Sequence, residues 1–257
     1  MKTAIVIPAR YGSTRFPGKP LATIKGRTML SLVVEAAQKA AAQVKDTSVF
    51  VTTEDPRIEA HAKELGVKCI LTSEACATGS DRVLEAVKKS GESFSFVVNL
   101  QGDAPFTPPD LIAQMIASFE KDKGIQVITP VHKLSWEALD HLRETKKTTP
   151  FSGTTATIDK NGRALWFSKT IIPALRYEDR AMPHSPVYQH IGLYGFRLDI
   201  LEKFCSLSQS NYEKLEGLEQ LRLLENGITI KTLRWDKPVH GGIDSPEDLE
   251  RLEKTIS

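Results

Sequence analysis

An α/β fold built on a doubly wound, mainly parallel sheet is predicted by three observations in the sequence. Short apolar runs alternate with longer segments whose apolar residues recur at three- and four-residue spacing. Through the first half each helical segment stands between two runs, the arrangement of right-handed βαβ crossovers. A loop rich in glycine, proline and cations directly follows the first run, at the sheet edge where open α/β folds hold ligands.

The runs Ala4 to Ile7, Val49 to Thr52, Cys69 to Leu71 and Phe96 to Leu100 are expected as buried strands. Met29 to Ala42, Pro56 to Leu65 and Asp81 to Lys89 are expected as the helices between them. Asp55-Pro56 supplies an N-cap followed by proline at the first helical position. The second half reads as a β-rich excursion covering the mouth of the sheet. Its strands are Thr154 to Ile158, Ala164 to Ser168 and His190 to Arg197, the first two joined by the turn Asp159-Lys160-Asn161-Gly162. A helix over about Tyr212 to Glu225 ends at Asn226-Gly227, and a strand at Ile228 to Leu233 and a helix from Ser245 follow. This predicts one domain over residues 1–257, with about 1–130 and 228–257 as core and about 131–227 as the excursion.

A chain of 257 residues, with 40% hydrophobic and 26% charged residues, buries a sizeable core without disulfides. The net charge of +2, with no basic block, argues against a nucleic-acid surface but leaves room for a small anion. Cys69, Cys76 and Cys205 are far apart and lack metal-ligand pairing, which predicts inert thiols in a reducing compartment. The apolar start is broken by Pro8 and Arg10, too early for a secretory segment. No apolar stretch approaches the roughly 18 residues needed to span a bilayer. The expectation is a soluble cytoplasmic protein with no nucleic-acid or membrane partner.

The chemistry concentrates in Pro8-Ala9-Arg10-Tyr11-Gly12-Ser13-Thr14-Arg15-Phe16-Pro17-Gly18-Lys19-Pro20-Leu21. Arg10, Arg15 and Lys19 supply cations, and Gly12 and Gly18 let backbone N–H groups approach an anion. A triphosphate needs such a cradle, because its charge must be neutralised before a nucleophile reaches the α-phosphorus. The loop is not a Walker A motif: five residues separate Gly12 from Gly18, and Pro20 follows Lys19 where a hydroxyl residue would hold the metal.

Farther along, the strand Phe96 to Leu100 delivers Gln101-Gly102-Asp103 to the sheet edge. A carboxylate there suits Mg²⁺, which takes one or two protein ligands and shares phosphate oxygens. Near the C-terminus, Ser245, Pro246 and Asp248 read as N-cap, first helical residue and N3 acid. That leaves Asp244 free as a second metal ligand.

From Ile7 to Leu21 and on nearly to the C-terminus, the sequence resembles the bacterial 3-deoxy-manno-octulosonate (Kdo) cytidylyltransferases, or CMP-Kdo synthetases. The resemblance implies a nucleotide-binding α/β fold, a need for CTP and Mg²⁺, and a homodimer. It implies transfer of CMP from CTP to the anomeric hydroxyl of Kdo or a related ulosonic acid, with release of pyrophosphate, for surface polysaccharide synthesis. Thr78-Gly79-Ser80-Asp81-Arg82 is similar to the family's Ser-Gly-Thr-Glu-Arg stretch. On that likeness Gly79, Ser80, Arg82 and Gln101 join Ala9, Arg10, Gly12, Ser13 and Lys19 against the nucleotide, and Ser80 also caps the following helix. The family's second metal-binding Asp matches Asp244, in Gly242-Ile243-Asp244-Ser245-Pro246.

For the acidic sugar, Tyr188 to Phe196 resembles the family's His-Leu-Gly-Ile-Tyr-Gly-Tyr strand, with His190, Gly192 and Tyr194 on one face. Leu218-Glu219-Gln220-Leu221-Arg222 matches the helix whose Glu-Gln pair faces the sugar, with Arg222 left to a surface pair. Gln101, Lys169, His190, Tyr194, Glu219 and Gln220 are therefore the expected sugar contacts. Three departures stand out: Ala104 replaces the family's Glu, Thr154 to Thr157 lack its Lys, and Lys169 replaces its Arg. Lysine cannot reproduce a bidentate clamp on a carboxylate, so an amino-substituted or otherwise altered ulosonate is an alternative acceptor. A sugar phosphate or another acceptor, and a non-catalytic nucleotide-binding regulator, are further alternatives.

Overall fold

A computed structural model describes residues 1–12, 16–237, 239, 242–243 and 245–255. In chain order the elements begin with strands β1 (Thr3–Pro8), β2 (Thr23–Ile24) and β3 (Arg27–Thr28), then helix α1 (Met29–Ala41). They continue with β4 (Thr47–Thr53), α2 (Pro56–Glu64), β5 (Lys68–Leu71), α3 (Gly79–Lys89), β6 (Phe96–Asn99) and α4 (Pro109–Lys121). Next come β7 (Val127–Lys133), α5 (Trp136–Thr148), β8 (Thr155–Ile158), β9 (Ala164–Ser168), β10 (Tyr188–His190) and β11 (Tyr194–Arg197). The chain closes with α6 (Leu198–Ser206), α7 (Asn211–Glu216), α8 (Gln220–Glu225), β12 (Ile230–Arg234) and α9 (Pro246–Thr255). The chain divides into two compact units, residues 1–122, 193–205 and 239–257 in the first and 123–192 and 206–238 in the second.

In the first unit β1 pairs in parallel with β4 and β6, and β4 pairs in parallel with β5. Strand β11 adds to β6 antiparallel. Ala4 to Ile7 and Phe96 to Val98 are fully buried, as strands covered on both faces by crossover helices must be. Local chemistry sets the helix starts. Thr28 caps α1 by accepting from Ser31 N, and Asp55 caps α2 ahead of Pro56. Thr78, not Ser80, caps α3: its hydroxyl accepts from Asp81 N while the Asp81 carboxylate accepts from Thr78 N. The helix therefore starts two residues before the expected Asp81, and the Thr78–Asp81 pair forms a capping box.

In the second unit β7 pairs in parallel with β12 and antiparallel with β10; β10 pairs with β8, and β8 with β9, both antiparallel. The β8–β9 turn follows its sequence signal, with Asp159 Oδ1 accepting from Asn161 N and Arg163 N at 2.8 Å each and Gly162 at φ 74°. Two expected elements are each split. The strand over His190 to Arg197 breaks after His190, because β10 pairs with β7 whereas β11 pairs with β6 in the other unit. The helix over Tyr212 to Glu225 breaks at Gly217, whose left-handed φ of 63° ends α7.

Candidate functional site

Because β1 and β6 run parallel, both release their chains at one edge of the sheet, where the N-terminus of α3 also lies against them. A cleft of about 490 Å³ opens there, lined from Pro8 to Arg10, by Gly12, Lys19 and Pro20, from Ala77 to Gly79, and from Gln101 to Asp103. It gathers Ala9, Arg10, Gly12, Lys19, Gly79, Gln101 and Asp103 from three separate stretches of the sequence.

Close backbone approach shapes the floor. A Cβ on Gly102 would lie 2.6 Å from the carbonyl oxygen of Pro8, so only glycine lets the two strand exits meet. Ala9 is buried and ties to β4 through its N–H on Thr52 O at 2.9 Å. The Gln101 amide donates to Asn99 Oδ1 at 3.2 Å, and Asn99 Nδ2 donates to Ser80 Oγ at 3.4 Å.

The cations are held by main-chain oxygens. Arg10 Nη2 donates to Cys76 O at 2.6 Å. Lys19 Nζ donates to Ile243 O and to Asp103 Oδ2, both at 2.9 Å. Ile243 N in turn donates to Asp103 O at 2.9 Å, which brings the residue preceding Asp244 against the other expected metal ligand. Neither carbonyl contact carries a sequence signal, since a backbone oxygen is present in every residue.

Ser13, Arg15 and Asp244 lie outside the described residues. Among the described residues no group of three or more His, Cys, Asp and Glu is gathered to hold a metal. What remains for a divalent ion is Asp103, partly exposed in the cleft beside two cations that would hold a phosphate chain. Hard oxygen donors of that kind fit Mg²⁺ with phosphate and water completing its shell.

Ser80 and Arg82 do not face this cleft. Ser80 is buried, and its Oγ accepts from Asn99 Nδ2, whose Oδ1 in turn accepts from Gln101. Arg82 is 1% exposed, with Nη1 2.7 Å from both Glu54 Oε2 and Thr72 Oγ1. The β4–β5 edge supplies both partners, and a buried guanidinium requires them. Arg82 instead borders a second cavity of about 390 Å³, shared with Arg10, Tyr11, Gly12, Glu54, Asp55, Arg57 and Glu74. Cys76 is inert: burial and the neighbouring Glu85 carboxylate push its thiol up to about 11, and Sγ donates to Glu85 Oε2 at 3.1 Å.

Of the expected sugar contacts, Tyr194 lies in the first unit, in register with Asn99 on the strand that delivers Gln101. Lys169, His190, Glu219 and Gln220 lie in the second unit. The strand break means that His190 and Tyr194 do not share the face of one strand. His190 is fixed by Thr129 Oγ1 at 2.8 Å and by an edge contact with Phe167. Burial and the nearby Lys169 charge hold its imidazole neutral, with the pKa lowered to about 3. Lys169 is positioned through its backbone, its N–H donating to Glu216 Oε2 at 2.7 Å and its carbonyl accepting from Lys146 Nζ at 2.6 Å. Gln220 is buried, and its Nε2 has no hydrogen-bond partner among the described residues.

Within Thr154 to Thr157, Thr155 is fully buried; its hydroxyl donates to Thr170 O at 2.7 Å and accepts from Ile172 N at 3.0 Å. It offers a ligand no cation. Arg222, expected on the surface, is buried and grips Glu213 with Nε and Nη2 at 2.8 and 2.5 Å. Both are buried, because Arg222 reaches back across the turn at Gly217.

A family model described as cytidylyltransferase matches residues 4–230. The 3-deoxy-manno-octulosonate cytidylyltransferase of Maricaulis maris (strain MCS10) is 41% identical over 260 residues, spanning 100% of this chain and 98% of the relative. That of Desulfatibacillum aliphaticivorans is 41% identical over 259 residues, spanning 100% and 99%. Among solved structures, CMP:2-keto-3-deoxy-manno-octonic acid synthetase complexed with CTP superposes with a TM-score of 0.85 at 33% identity, spanning 100% of this chain and 98% of that one.

Proposed function

The chain belongs to the cytidylyltransferase family, and from that premise we propose that it transfers CMP from CTP to the anomeric hydroxyl of 3-deoxy-manno-octulosonate, releasing pyrophosphate. The observation that carries this reading is the cleft at the β1 and β6 exits, where Arg10 and Lys19 face Asp103 in a chain similar end to end to enzymes of that name.

Arg10 and Lys19, with Arg15 from the same loop, neutralise the triphosphate and stabilise the leaving pyrophosphate. Gln101, held by Asn99, and the N-terminus of α3 at Gly79 orient the nucleotide. Asp103 and Asp244 would hold Mg²⁺, which when bound supplies positive charge at the α-phosphate and acidifies the attacking hydroxyl. Lys169, His190, Glu219 and Gln220, all of the second unit, bind the acidic sugar. The unpartnered Gln220 amide and the neutral His190 ring supply hydrogen-bonding groups without fixed charge. With Thr155 turned inward, Lys169 is the cation left for the sugar carboxylate among the residues named for it.

The active form is a cytoplasmic homodimer serving surface polysaccharide synthesis; size-exclusion chromatography with light scattering tests the dimer. No helix among the described residues is long and apolar enough to cross a membrane. The deciding experiment is pyrophosphate release with CTP and Mg²⁺ against a panel of acceptors: Kdo, an amino-substituted Kdo, a nonulosonate and a sugar phosphate. Turnover with Kdo supports the reading, and turnover only with another acceptor reassigns the sugar side. Binding of CTP without release of pyrophosphate makes the chain a regulator.

A further inference from the structure

Tyr11 joins the phosphate loop to the start of α2, which the reaction does not use directly. On one side it closes the phosphate loop: its carbonyl accepts from Gly18 N at 2.9 Å, and its ring packs against Gly18, where a Cβ would sit 3.2 Å from Cζ. Gly18 holds φ 71° and leads straight into the turn that carries Lys19. On the other side the Arg57 guanidinium stacks on the ring, with Cζ 3.3 Å from its centroid. Arg57 is aimed by Asp55, which takes Nε at 2.9 Å and Nη2 at 2.6 Å in a two-point fork. Asp55 is itself fixed as the cap of α2, accepting from Arg57 N at 2.9 Å.

A rigid helix start thus reaches the loop through one charge pair and one ring. The ends of the clasped loop carry the two described phosphate-facing cations, since Arg10 precedes Tyr11 and Lys19 follows Gly18. A guanidinium over a tyrosine face is attracted by the ring quadrupole, and a partner carboxylate keeps it in plane.

We propose that Arg57, aimed by Asp55, is a positioning residue for the triphosphate: by stacking on Tyr11 it holds the phosphate loop closed at Gly18 and so fixes the spacing of Arg10 and Lys19. The inference rests on the reading of the cleft as the CTP site. It adds a residue outside the opening motif, on the exposed start of α2, to the determinants of nucleotide affinity.

The test is steady-state kinetics of wild type, Arg57→Ala, Arg57→Lys, Tyr11→Ala and the Tyr11→Ala/Arg57→Ala pair, with melting temperatures recorded for each. Arg57→Ala raises the KM for CTP and the inhibition constant for pyrophosphate together by about 3- to 10-fold, the size of one cation–π contact. The KM for the acceptor stays within about twofold, because the lost contact lies on the nucleotide side. Arg57→Lys, which keeps the charge but not the planar fork, recovers part of the loss. The double variant is no worse than Tyr11→Ala, since both substitutions break one contact.

An unchanged KM for CTP in Arg57→Ala, a rise confined to the acceptor, or additive effects in the double variant overturns the clamp. A lowered melting temperature with unchanged KM for CTP also overturns it, assigning Arg57 to stability alone. These results are separable from failure of the cytidylyltransferase reading, in which the wild-type chain itself releases no pyrophosphate from CTP; binding of pyrophosphate to wild type and Arg57→Ala then decides the clamp.

Discussion

Lys19 Nζ sits 2.9 Å from Asp103 Oδ2, so the phosphate-loop cation and the expected metal carboxylate neutralise one another across 84 residues of sequence. A triphosphate with its metal would satisfy both partners separately, turning an internal pair into two ligand contacts. Asp103→Asn keeps the shape and removes the charge. It is expected to lower pyrophosphate release by about 100-fold or more, in line with loss of a preorganised charge at the reacting phosphate. Chelation with EDTA abolishes wild-type turnover and Mg²⁺ restores it; wild-type rates in Asp103→Asn would remove the metal assignment.

Gly102 has no room for a methyl group, because its Cβ would meet Pro8 O at 2.6 Å. Gly102→Ala must push the β6 exit away from the β1 exit, moving Asp103 relative to Arg10. The expected result is a kcat loss of about 10-fold or more with a stability cost of roughly 1–3 kcal/mol, the scale of overpacking. Chemical denaturation and kinetics measured on the same preparation check both effects.

His190 gives a pH prediction with a definite sign. Its folded pKa, about 3, lies below the ordinary 6.5, so the unfolded chain takes up the proton first. The group costs nothing above pH 6.5 and destabilises the fold as pH falls from there towards 3. Urea midpoints of wild type should drop more steeply over that window than those of His190→Gln. The imidazole proton resonance should not move between pH 5 and 8, and a titration there would refute the buried neutral form.

Arg222 and Glu213 are both buried, so removing one leaves the other charged and unpaired. Arg222→Ala is expected to cost about 3–5 kcal/mol. Replacing the pair with Leu and Met should recover much of that loss. Because the pair belongs to the second unit, the KM for CTP of whatever folds should stay unchanged; a CTP defect without a stability defect would contradict this.

The local parts of the fold were legible because they rest on local chemistry. Pro56 after Asp55, Gly162 in its turn and the apolar runs of β1 and β6 each state their conformation within a few residues. Helix α4 carries a signal of the same kind, Pro109 followed by Leu111, Ile112, Met115, Ile116 and Phe119 on one buried face. Strand β7 carries Pro130 in its middle, which blurs a strand pattern. The break between β10 and β11 was hidden because each half pairs with a different distant strand, which no spacing reveals. At the cleft, the positions of Ala9, Arg10, Gly12, Lys19 and Asp103 were readable from type and place. The burial of Arg82 and Arg222 was not, because it depends on carboxylates that the chain brings in from elsewhere.

Arg10 leans on the carbonyl of Cys76, and Lys19 on that of Ile243. A main-chain oxygen survives every substitution short of a deletion or a change of path. The side chains at 76 and 243 are therefore constrained by their own packing rather than by the cations, and neither position need co-vary with the residue it supports. A search for coupled positions would pair Lys19 with Asp103 and would miss the supports at 76 and 243. Loop length, rather than residue identity, is the quantity that these supports hold constant.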